Sequence, residues 1–397
     1  MLKLKLDKGL FPILLTVTLM GFGMSFVTPL IPLIIKGTGS SLSTIGQIGA
    51  TYFLFFTIVT PFWGKKVDKI GSKKVMLIGL TAYAVSVLFI PYIKTAFAFY
   101  IIRALQGMST ASLFVATESA INILSSPENR GKNMGYYALV FGLGFAGGPA
   151  VGATLFAINR YLPFYLCSAS FFLATFLFLF TFKDTKIEIK SPVYRYKDFF
   201  NILRIPLASV MCYAFIEVCI GVFLALYLDS INIRGTYLGL VFTAFALGAM
   251  LSPVPCGRVA DVFGKLPTIY TFAFLLTLVI FSFNFFQSFL LIILLISGVG
   301  FIAGGLYPVA LSIIADLIPK DKIGAANSTF AFSYGIGSII GPLVTGKFID
   351  YYGIKYLFYP MTAVTLIFLL ISVADASNKL LKWNQIKASS SSQDQQQ

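Results

Sequence analysis

Histidine is absent from this chain of 397 residues, and cysteine is scarce. Without histidine the chain lacks the commonest metal ligand and the usual general base. No C-x-x-C pair occurs among the four cysteines, so neither a zinc site nor a disulfide framework is indicated. The sequence also has no H-E-x-x-H, G-x-S-x-G or P-loop motif. We therefore expect no enzyme activity, no metal, no cofactor and no ATP drive.

Charged residues are also few, at 11% of the chain, against 57% hydrophobic residues and a mean hydropathy of +0.87. A soluble globular protein carries roughly 25% charged residues. This chain cannot cover a soluble surface, and its composition predicts an integral membrane protein.

Twelve apolar stretches follow one another along the chain, and each reaches the ~20 residues that a helix needs to cross a bilayer. Strands of an outer-membrane barrel would be about half that length. The fold class predicted is an all-α integral membrane protein, and the first stretch is kept as a mature helix. The stretches are 10–35, 42–63, 74–93, 97–124, 132–157, 161–182, 204–230, 235–256, 267–285, 289–316, 324–349 and 355–375.

Lysine and arginine are unevenly divided between the two sides of these twelve helices. The side that holds both termini carries 23 of them and the other side carries 6. Positive residues accumulate on the cytoplasmic side of membrane proteins. We expect a cell-membrane location with both termini cytoplasmic. The net charge of +15 then reflects topology, and no nucleic-acid partner is indicated.

A sequence repeat divides the chain. The segments GKKVDKIGSKK from Gly64 and GRVADVFGK from Gly257 share Gly-x-x-x-Asp-x-x-Gly at an offset of 193 residues. Five further positions carry the same residue type at this offset. They are Gly107 and Gly300, Gly131 and Gly324, Gly142 and Gly335, Gly148 and Gly341, and Pro149 and Pro342. This predicts two parallel six-helix repeats around a central cavity. The predicted boundaries are 1–182 and 204–378 for the bundles, 183–203 for a cytoplasmic linker and 379–397 for a disordered tail.

Three motifs give the chain a resemblance to the major facilitator superfamily over nearly its whole length. GKKVDKIGSKK is similar to the family's loop between helices 2 and 3, and YIIRALQG to its helix 4 motif. GLGFAGGPAVGA, residues 142–153, resembles the helix 5 motif of twelve-helix drug–proton antiporters. The resemblance implies alternating access by rocking of the two halves.

The doubled loop implies a cytoplasmic gate. In the loop, Gly64 and Gly71 would permit tight turns. By resemblance, Asp68 would dock at the start of helix 11, with Arg130 as its cationic partner, and Asp261 would do the same in the second half. Turn chemistry in a basic loop is the alternative reading. The predicted gate residues are Gly64, Asp68, Gly71, Arg130, Gly257, Asp261 and Gly264.

Helix 5 places Gly144, Gly148 and Gly152 on one face, with Pro149 between them. Small residues let membrane helices approach closely, and proline bends a helix. The motif predicts either a kinked, tightly packed helix that prevents proton leak, or ordinary helix packing.

Arg103 and Glu217 are the charges placed deepest in the predicted helices. A charge there is costly and normally faces a cavity and a partner. By resemblance, Arg103 takes part in proton coupling and alters the proton affinity of a nearby acid. The alternative is that its long side chain extends to the outer lipid headgroups. Loss of water favours a protonated carboxyl, so Glu217 could carry the proton; a structural hydrogen bond is the alternative. Its repeat counterpart is Met24.

The cavity is predicted to be lined by aromatic and polar residues. Gln106, Tyr213, Glu217 and Tyr307 are the candidates, whereas Glu118 and Asp316 are expected at the gate or interface. The predicted function is proton-coupled efflux of small lipophilic or amphipathic compounds by a monomer in the lipid bilayer. Proton-coupled uptake of a metabolite is the alternative, and a sensor or intramembrane enzyme ranks last.

Overall fold

Helices make up the regular structure of the computed structural model, which describes residues 9–126, 129–182, 202–318 and 322–394, with side chains as far as residue 377. They are α1 (Leu10–Val27), α2 (Ile31–Lys36), α3 (Leu42–Ile70), α4 (Ser72–Phe89), α5 (Ala96–Leu124), α6 (Arg130–Ile158), α7 (Leu162–Thr181), α8 (Arg204–Ser230), α9 (Thr236–Leu251), α10 (Pro253–Phe263), α11 (Lys265–Ser282), α12 (Phe289–Leu317), α13 (Ile323–Tyr352) and α14 (Phe358–Asp394). The all-helical fold class is confirmed.

Each of the twelve apolar stretches coincides with one long helix or with a pair of consecutive helices. Among the described residues, ten spans are long and apolar enough to cross a membrane, and α9 with α10 makes an eleventh if the bent pair is one span. The pair bends by 43° where α10 begins at Pro253, because proline removes a backbone donor. The remaining helix, α13, is rich in glycine, serine and threonine.

The two halves repeat one packing scheme. In the first half α1 packs on α6, α3 on α5 and α4 on α7; in the second half α8 packs on α13, α9 on α12 and α11 on α14. These are corresponding helices of the two repeats. The predicted architecture of two six-helix repeats is therefore confirmed.

The repeat extends to single backbone contacts. A Cβ placed on Gly107 would overlap the carbonyl oxygen of Tyr52, and one placed on Gly300 would overlap that of Phe245. Both members of the second pair lie 193 residues after those of the first. Only glycine permits this approach of two helices, so the offset found in the sequence is an offset of tertiary contacts.

The halves touch through a second reciprocal pair. Gly46 of α3 lies against the carbonyl of Pro342 on α13, and Gly239 of α9 lies against the carbonyl of Pro149 on α6. The offset of 193 again relates the two contacts. We call them the glycine–proline joints.

Two side-chain contacts lie beyond the joints, toward the end of the bundle at which α3 and α9 begin. The amide nitrogen of Leu42 donates to Asp350 Oδ1 at 2.9 Å, and Thr154 and Thr236 hydroxyls are 2.8 Å apart. A carboxylate at a helix N-terminus is favourable because it meets unpaired backbone N–H groups. This end, which we call the joint end, is closed.

The other end carries most of the lysines and arginines, and we call it the basic end. A Cβ placed on Gly64, Gly131, Gly257 or Gly324 would meet nothing within 4 Å. These glycines lie on α3, α6, α10 and α13; α3, α6 and α13 meet the other half closely at the joint end, and α10 continues α9, which does so too. Among the described residues the halves are therefore apart at these positions.

Each half is tied within itself at the basic end. In the first half Lys73 donates to the carbonyls of Leu179 and Phe182, at 2.7 and 2.5 Å. In the second half Asp375 is 3% exposed and accepts from Arg204 and from Tyr270, the latter at 2.6 Å. A buried carboxylate needs such partners. Each half therefore has its own means of staying rigid.

One local prediction is corrected. Gly64 lies inside α3 and makes no turn, and Gly257 likewise lies inside α10. The turns are made by Gly71 and Gly264, with φ of 88° and 93°, a region that favours glycine. Helix α14 extends to Asp394, and the disordered tail over 379–397 stays a prediction. Residues 183–201 of the predicted linker lie outside the described residues.

Candidate functional site

Glu217 lies in the second half, on a stretch of α8 whose other faces are buried. Its Oε2 accepts a hydrogen bond from the hydroxyl of Tyr334 on α13 at 2.8 Å. The hydroxyl of Tyr213, one turn earlier on α8, also hydrogen bonds to this carboxyl. Glu217 is only partly buried, so it is in reach of solvent between the halves. A carboxyl with two phenol donors and solvent access can exchange a proton.

Aromatic rings surround this carboxyl. The ring centroid of Tyr213 is 6.1 Å from those of Tyr307 and Tyr334, and Tyr307 is 5.1 Å from Phe330. Edge-to-face and tilted contacts of this kind fix ring positions. We call Tyr213, Tyr307, Phe330 and Tyr334 the aromatic cluster. It offers a lipophilic wall with hydroxyl groups beside one carboxyl.

Glu118 approaches the aromatic cluster from the first half. Its side chain is exposed although it lies in α5, and it interacts electrostatically with Tyr137 on α6 and with Tyr307 on α12. Tyr307, 38% exposed, interacts with Glu217 as well. Tyr307 therefore lies near both carboxyl groups, one from each half. The sequence pointed to the gate or interface for Glu118, and its proximity to Tyr307 was not predicted.

Arg103 lies inside the first half. Its Nη1 donates to Gln106 Oε1 at 2.9 Å, and its guanidinium lies 4.3 Å from the centroid of the Tyr52 ring. Gln106 is fully buried, so in this conformation it turns to Arg103 and does not line the accessible space. A ring face attracts a cation. Arg103 is thus held within the bundle, with a neutral amide and a phenol ring as its partners.

The structure does not bring Arg103 and Glu217 together. The electrostatic partners of Arg103 are Tyr52 and Tyr83, and no described carboxylate forms an ion pair with it. Among the described residues no acid lies beside Arg103 in this conformation, and its role in proton coupling stays a prediction. The sequence places no acid in the first helix, and the second and third carry none near their middle.

The predicted gate residues lie apart at the basic end. Asp68 on α3 and Asp261 on α10 are exposed, and neither forms an ion pair within the described chain. Arg130, at the start of α6, donates to the carbonyl of Asn122 at 3.4 Å and not to Asp68. Asp316, also expected here, pairs with Lys265 at 2.5 Å. In this conformation no contact joins Asp68, Asp261 and Arg130 to one another among the described residues.

The helix 5 motif has two faces in the structure. Gly144, Gly148 and Gly152 lie against α1, where a Cβ would overlap Thr18 O, Ser25 Oγ or Phe26 O. Pro149 faces the second half at its joint with Gly239. Close packing along these glycines was predicted from their spacing, but α1 as the packing partner was not. The contact between halves was not predicted.

Twelve membrane-crossing segments in two matching halves, closed at one end and open at the other, define a transporter fold. A family model described as Major Facilitator Superfamily matches residues 13–199 and 207–388. The chain belongs to that family. The resemblance drawn from its motifs is confirmed.

Curated relatives of similar length include resistance proteins. Multidrug resistance protein 1 of Bacillus subtilis is 26% identical over 91% of this chain and 95% of its own length. Quinolone resistance protein NorA of Staphylococcus aureus is 25% identical over 87% of this chain and 91% of its own length. YfkF of B. subtilis, described as an uncharacterized MFS-type transporter, is 24% identical over 89% of this chain and 91% of its own length.

Solved structures share the fold at lower identity. A bacterial homolog of the human lysosomal transporter Spinster, described as inward-facing, aligns with a TM-score of 0.75 and 13% identity, covering 92% of this chain and 95% of that one. The nucleoside transporter NupG aligns with a TM-score of 0.77 and 14% identity, covering 92% of this chain and 99% of that one. These likenesses concern the fold alone.

Sequence reasoning missed three residues of the site. Tyr334 and Tyr52 carry no motif and are two of 20 tyrosines in the chain, so nothing marked them. Glu118 was visible as an acid inside an apolar stretch. Its distance from the centre of that stretch led to the gate or interface assignment.

Proposed function

We propose that the protein exports small lipophilic or amphipathic compounds in exchange for protons, by alternating access between its two halves. The observation that carries this proposal is Glu217, an acid inside the bundle that is partly accessible and bonded to Tyr334. The names of the relatives, multidrug resistance and quinolone resistance, support an efflux role.

In this proposal Glu217 carries the proton. Removal from water favours the neutral form of a carboxyl, and hydrogen bonds from phenols favour the charged form. Rocking of the halves changes the access of water to the Glu217 carboxyl. Closure of the aromatic cluster on a lipophilic compound also removes water from that carboxyl. Proton uptake on one side of the membrane and release on the other follow from this alternation.

The basic end is cytoplasmic in this proposal, and so are both termini. The charge bias of the loops supports that orientation. The conformation described is then open to the cytoplasm and closed outside. In the opposite state Asp68 docks at the start of α13 and pairs with Arg130, while Asp261 makes the equivalent contact at α6. The glycine–proline joints open in that state.

The charge of the accessible space bears on the substrate. Glu118 and Glu217 face it from opposite halves, and no described cation joins them there. Tyrosine faces attract cations as well. We expect lipophilic cations to be carried better than neutral or anionic compounds of the same size. The protein acts in the cell membrane as a monomer.

Proton-coupled uptake is the second candidate, because the fold is shared with a nucleoside transporter. The direction of proton coupling separates the two. An exporter moves substrate against the direction of proton flow, and a symporter moves it along with the protons.

Transport by the purified protein in liposomes, with pH gradients of each sign, tests the proposal. The probes are a quinolone, a lipophilic quaternary ammonium dye and a nucleoside. Efflux-type exchange predicts dye accumulation in the compartment that supplies protons. Accumulation that follows the protons establishes the symporter, and no response to either gradient refutes proton coupling.

A further inference from the structure

The environment of Arg103 has hydrogen-bond donors without acceptors. Among the described residues, Arg103 Nε and Gln106 Nε2 are buried and have no partner. Gln106 is 0% exposed, and its Oε1 already accepts from Arg103 Nη1 at 2.9 Å. That bond places the amide oxygen of Gln106 toward the guanidinium. The N–H groups of Gln106 Nε2 therefore point away from Arg103.

The charge of Arg103 is also unbalanced. Arginine remains protonated in proteins. The described acids of the first half are Asp68 and Glu118. Glu118 is 15 residues further along α5, which is about 22 Å at the rise of a helix. Asp68 is 16 residues beyond Tyr52 on α3, about 24 Å along that helix. Neither reaches the guanidinium.

The missing partner has to accept hydrogen bonds and carry negative charge. Water accepts hydrogen bonds but leaves the cation uncompensated in a medium of low polarity. The Tyr52 ring lies against the guanidinium at 4.3 Å and offsets part of the charge. It cannot accept from Nε in the guanidinium plane. The two unpaired N–H groups belong to side chains that touch each other, one turn apart on α5.

We infer that Arg103 Nε and Gln106 Nε2 bind a small monovalent anion inside the first half of the bundle. Chloride from the medium and the carboxylate group of a transported compound share the required chemistry. The anion site is spatially separate from Glu217, since no described contact joins Arg103 or Gln106 to that carboxyl. It gives Arg103 the counter-charge that the first helix does not supply.

Thermal unfolding of the full chain in detergent tests the site. Sodium chloride, sodium benzoate and sodium gluconate are compared at equal ionic strength, with gluconate as the reference because its hydroxyl groups keep it strongly hydrated. Chloride or benzoate should raise the melting temperature of the wild type above its value in gluconate. Equilibrium binding of radioactive chloride should give about one chloride per protein molecule, because the two donors form one site.

Two variants and one control give the test its specificity. Arg103→Met removes the cation, and Gln106→Glu places a carboxylate beside the guanidinium, where the anion would sit. Both should lose the anion response, and Gln106→Glu should also melt higher than the wild type in gluconate. Arg234→Met removes an exposed cation that pairs with Asp229 and should keep the full response. If Arg103→Met fails to fold, Gln106→Glu still decides.

The pattern of responses identifies the source of the anion. A response to chloride identifies free halide, and a response to benzoate alone identifies the carboxylate of a transported compound. An equal response in the wild type and both site variants would overturn the inference, as would no response to either anion in the wild type.

Discussion

The two halves share a backbone and differ in the polar groups inside it. The first half holds Arg103 with Gln106 and Tyr52, and the second holds Glu217 with Tyr213 and Tyr334. At the offset of 193 the first three correspond to Ile296, Val299 and Phe245, and the second three to Met24, Met20 and Phe141. Each of these polar residues thus has an apolar residue at the equivalent position of the other half. The repeat supplies the framework, and the function that we propose depends on where the repeat fails.

Replacing the acid of the second half should have the largest effect. Glu217→Gln keeps the hydrogen-bonding shape and removes the titrating proton. We expect pH-driven transport to fall to the level of protein-free liposomes, while exchange of labelled for unlabelled substrate continues. Asp229→Asn is the matched control because it removes an exposed acid that has no assigned role in transport. Full proton coupling in Glu217→Gln would end its assigned role.

Replacing the cation of the first half should come next. Arg103→Met should uncouple or inactivate the transporter, since a buried charge at this depth is costly and is kept for a function. The readout is substrate movement per proton in the same liposomes. Normal coupling would show that Arg103 only stabilises its bundle.

The glycine–proline joints test whether the halves are equivalent. Valine at Gly46 or at Gly239 overlaps a carbonyl of the other half and should oppose closure of the joint end. An overpacking cost of 1–3 kcal/mol shifts the balance of states by roughly 5- to 150-fold. Alkylation of a cysteine introduced at Thr236 should speed up in both variants alike. Gly298→Val, whose Cβ would meet only Val279 at an ordinary 3.8 Å, is the control, and unequal effects would argue against reciprocal joints.

Tyr334→Phe should have a smaller effect. It gives the second half the residue type that the first half has at the equivalent position, Phe141. The variant removes one of two phenol donors to the carboxyl, and a hydrogen bond to a charged group contributes about 1.5–3 kcal/mol. We expect proton-driven transport to fall about tenfold and its dependence on pH to shift. Tyr270→Phe, which loses a bond to Asp375, controls for loss of a phenol. An unchanged pH dependence would leave Tyr213 as the effective partner.

The gate residues should show the smallest effect. Asp68→Asn removes a carboxylate whose docking at a helix terminus gives about 0.3–1 kcal/mol, or about two- to fivefold in turnover. Substrate affinity should stay the same, because Asp68 is exposed and away from the aromatic cluster. Asp261→Asn makes the same change in the second half. Unchanged turnover in both would support the reading of this loop as turn chemistry alone.

The sequence predicted whatever depends on composition and on the repeat. Helix number, the matched halves and the close packing of Gly144, Gly148 and Gly152 all follow from hydropathy and spacing. Tyr334 as the partner of Glu217 does not, because a contact between helices depends on how each is rotated about its axis. The inclusion of Gly64 in α3 was hidden for a related reason: a glycine is compatible with both helix and turn.

The glycine–proline joints have a practical consequence for mutational mapping. Each brings a residue without a side chain against a carbonyl oxygen, so nothing in it can be shortened. A scan that truncates side chains one by one would detect the contacts made by Asp350, Thr154 and Thr236. It would pass over the joints themselves and record Gly46 and Gly239 as inert. Only substitutions that add atoms would detect the joints, so saturation libraries are the suitable instrument for this protein.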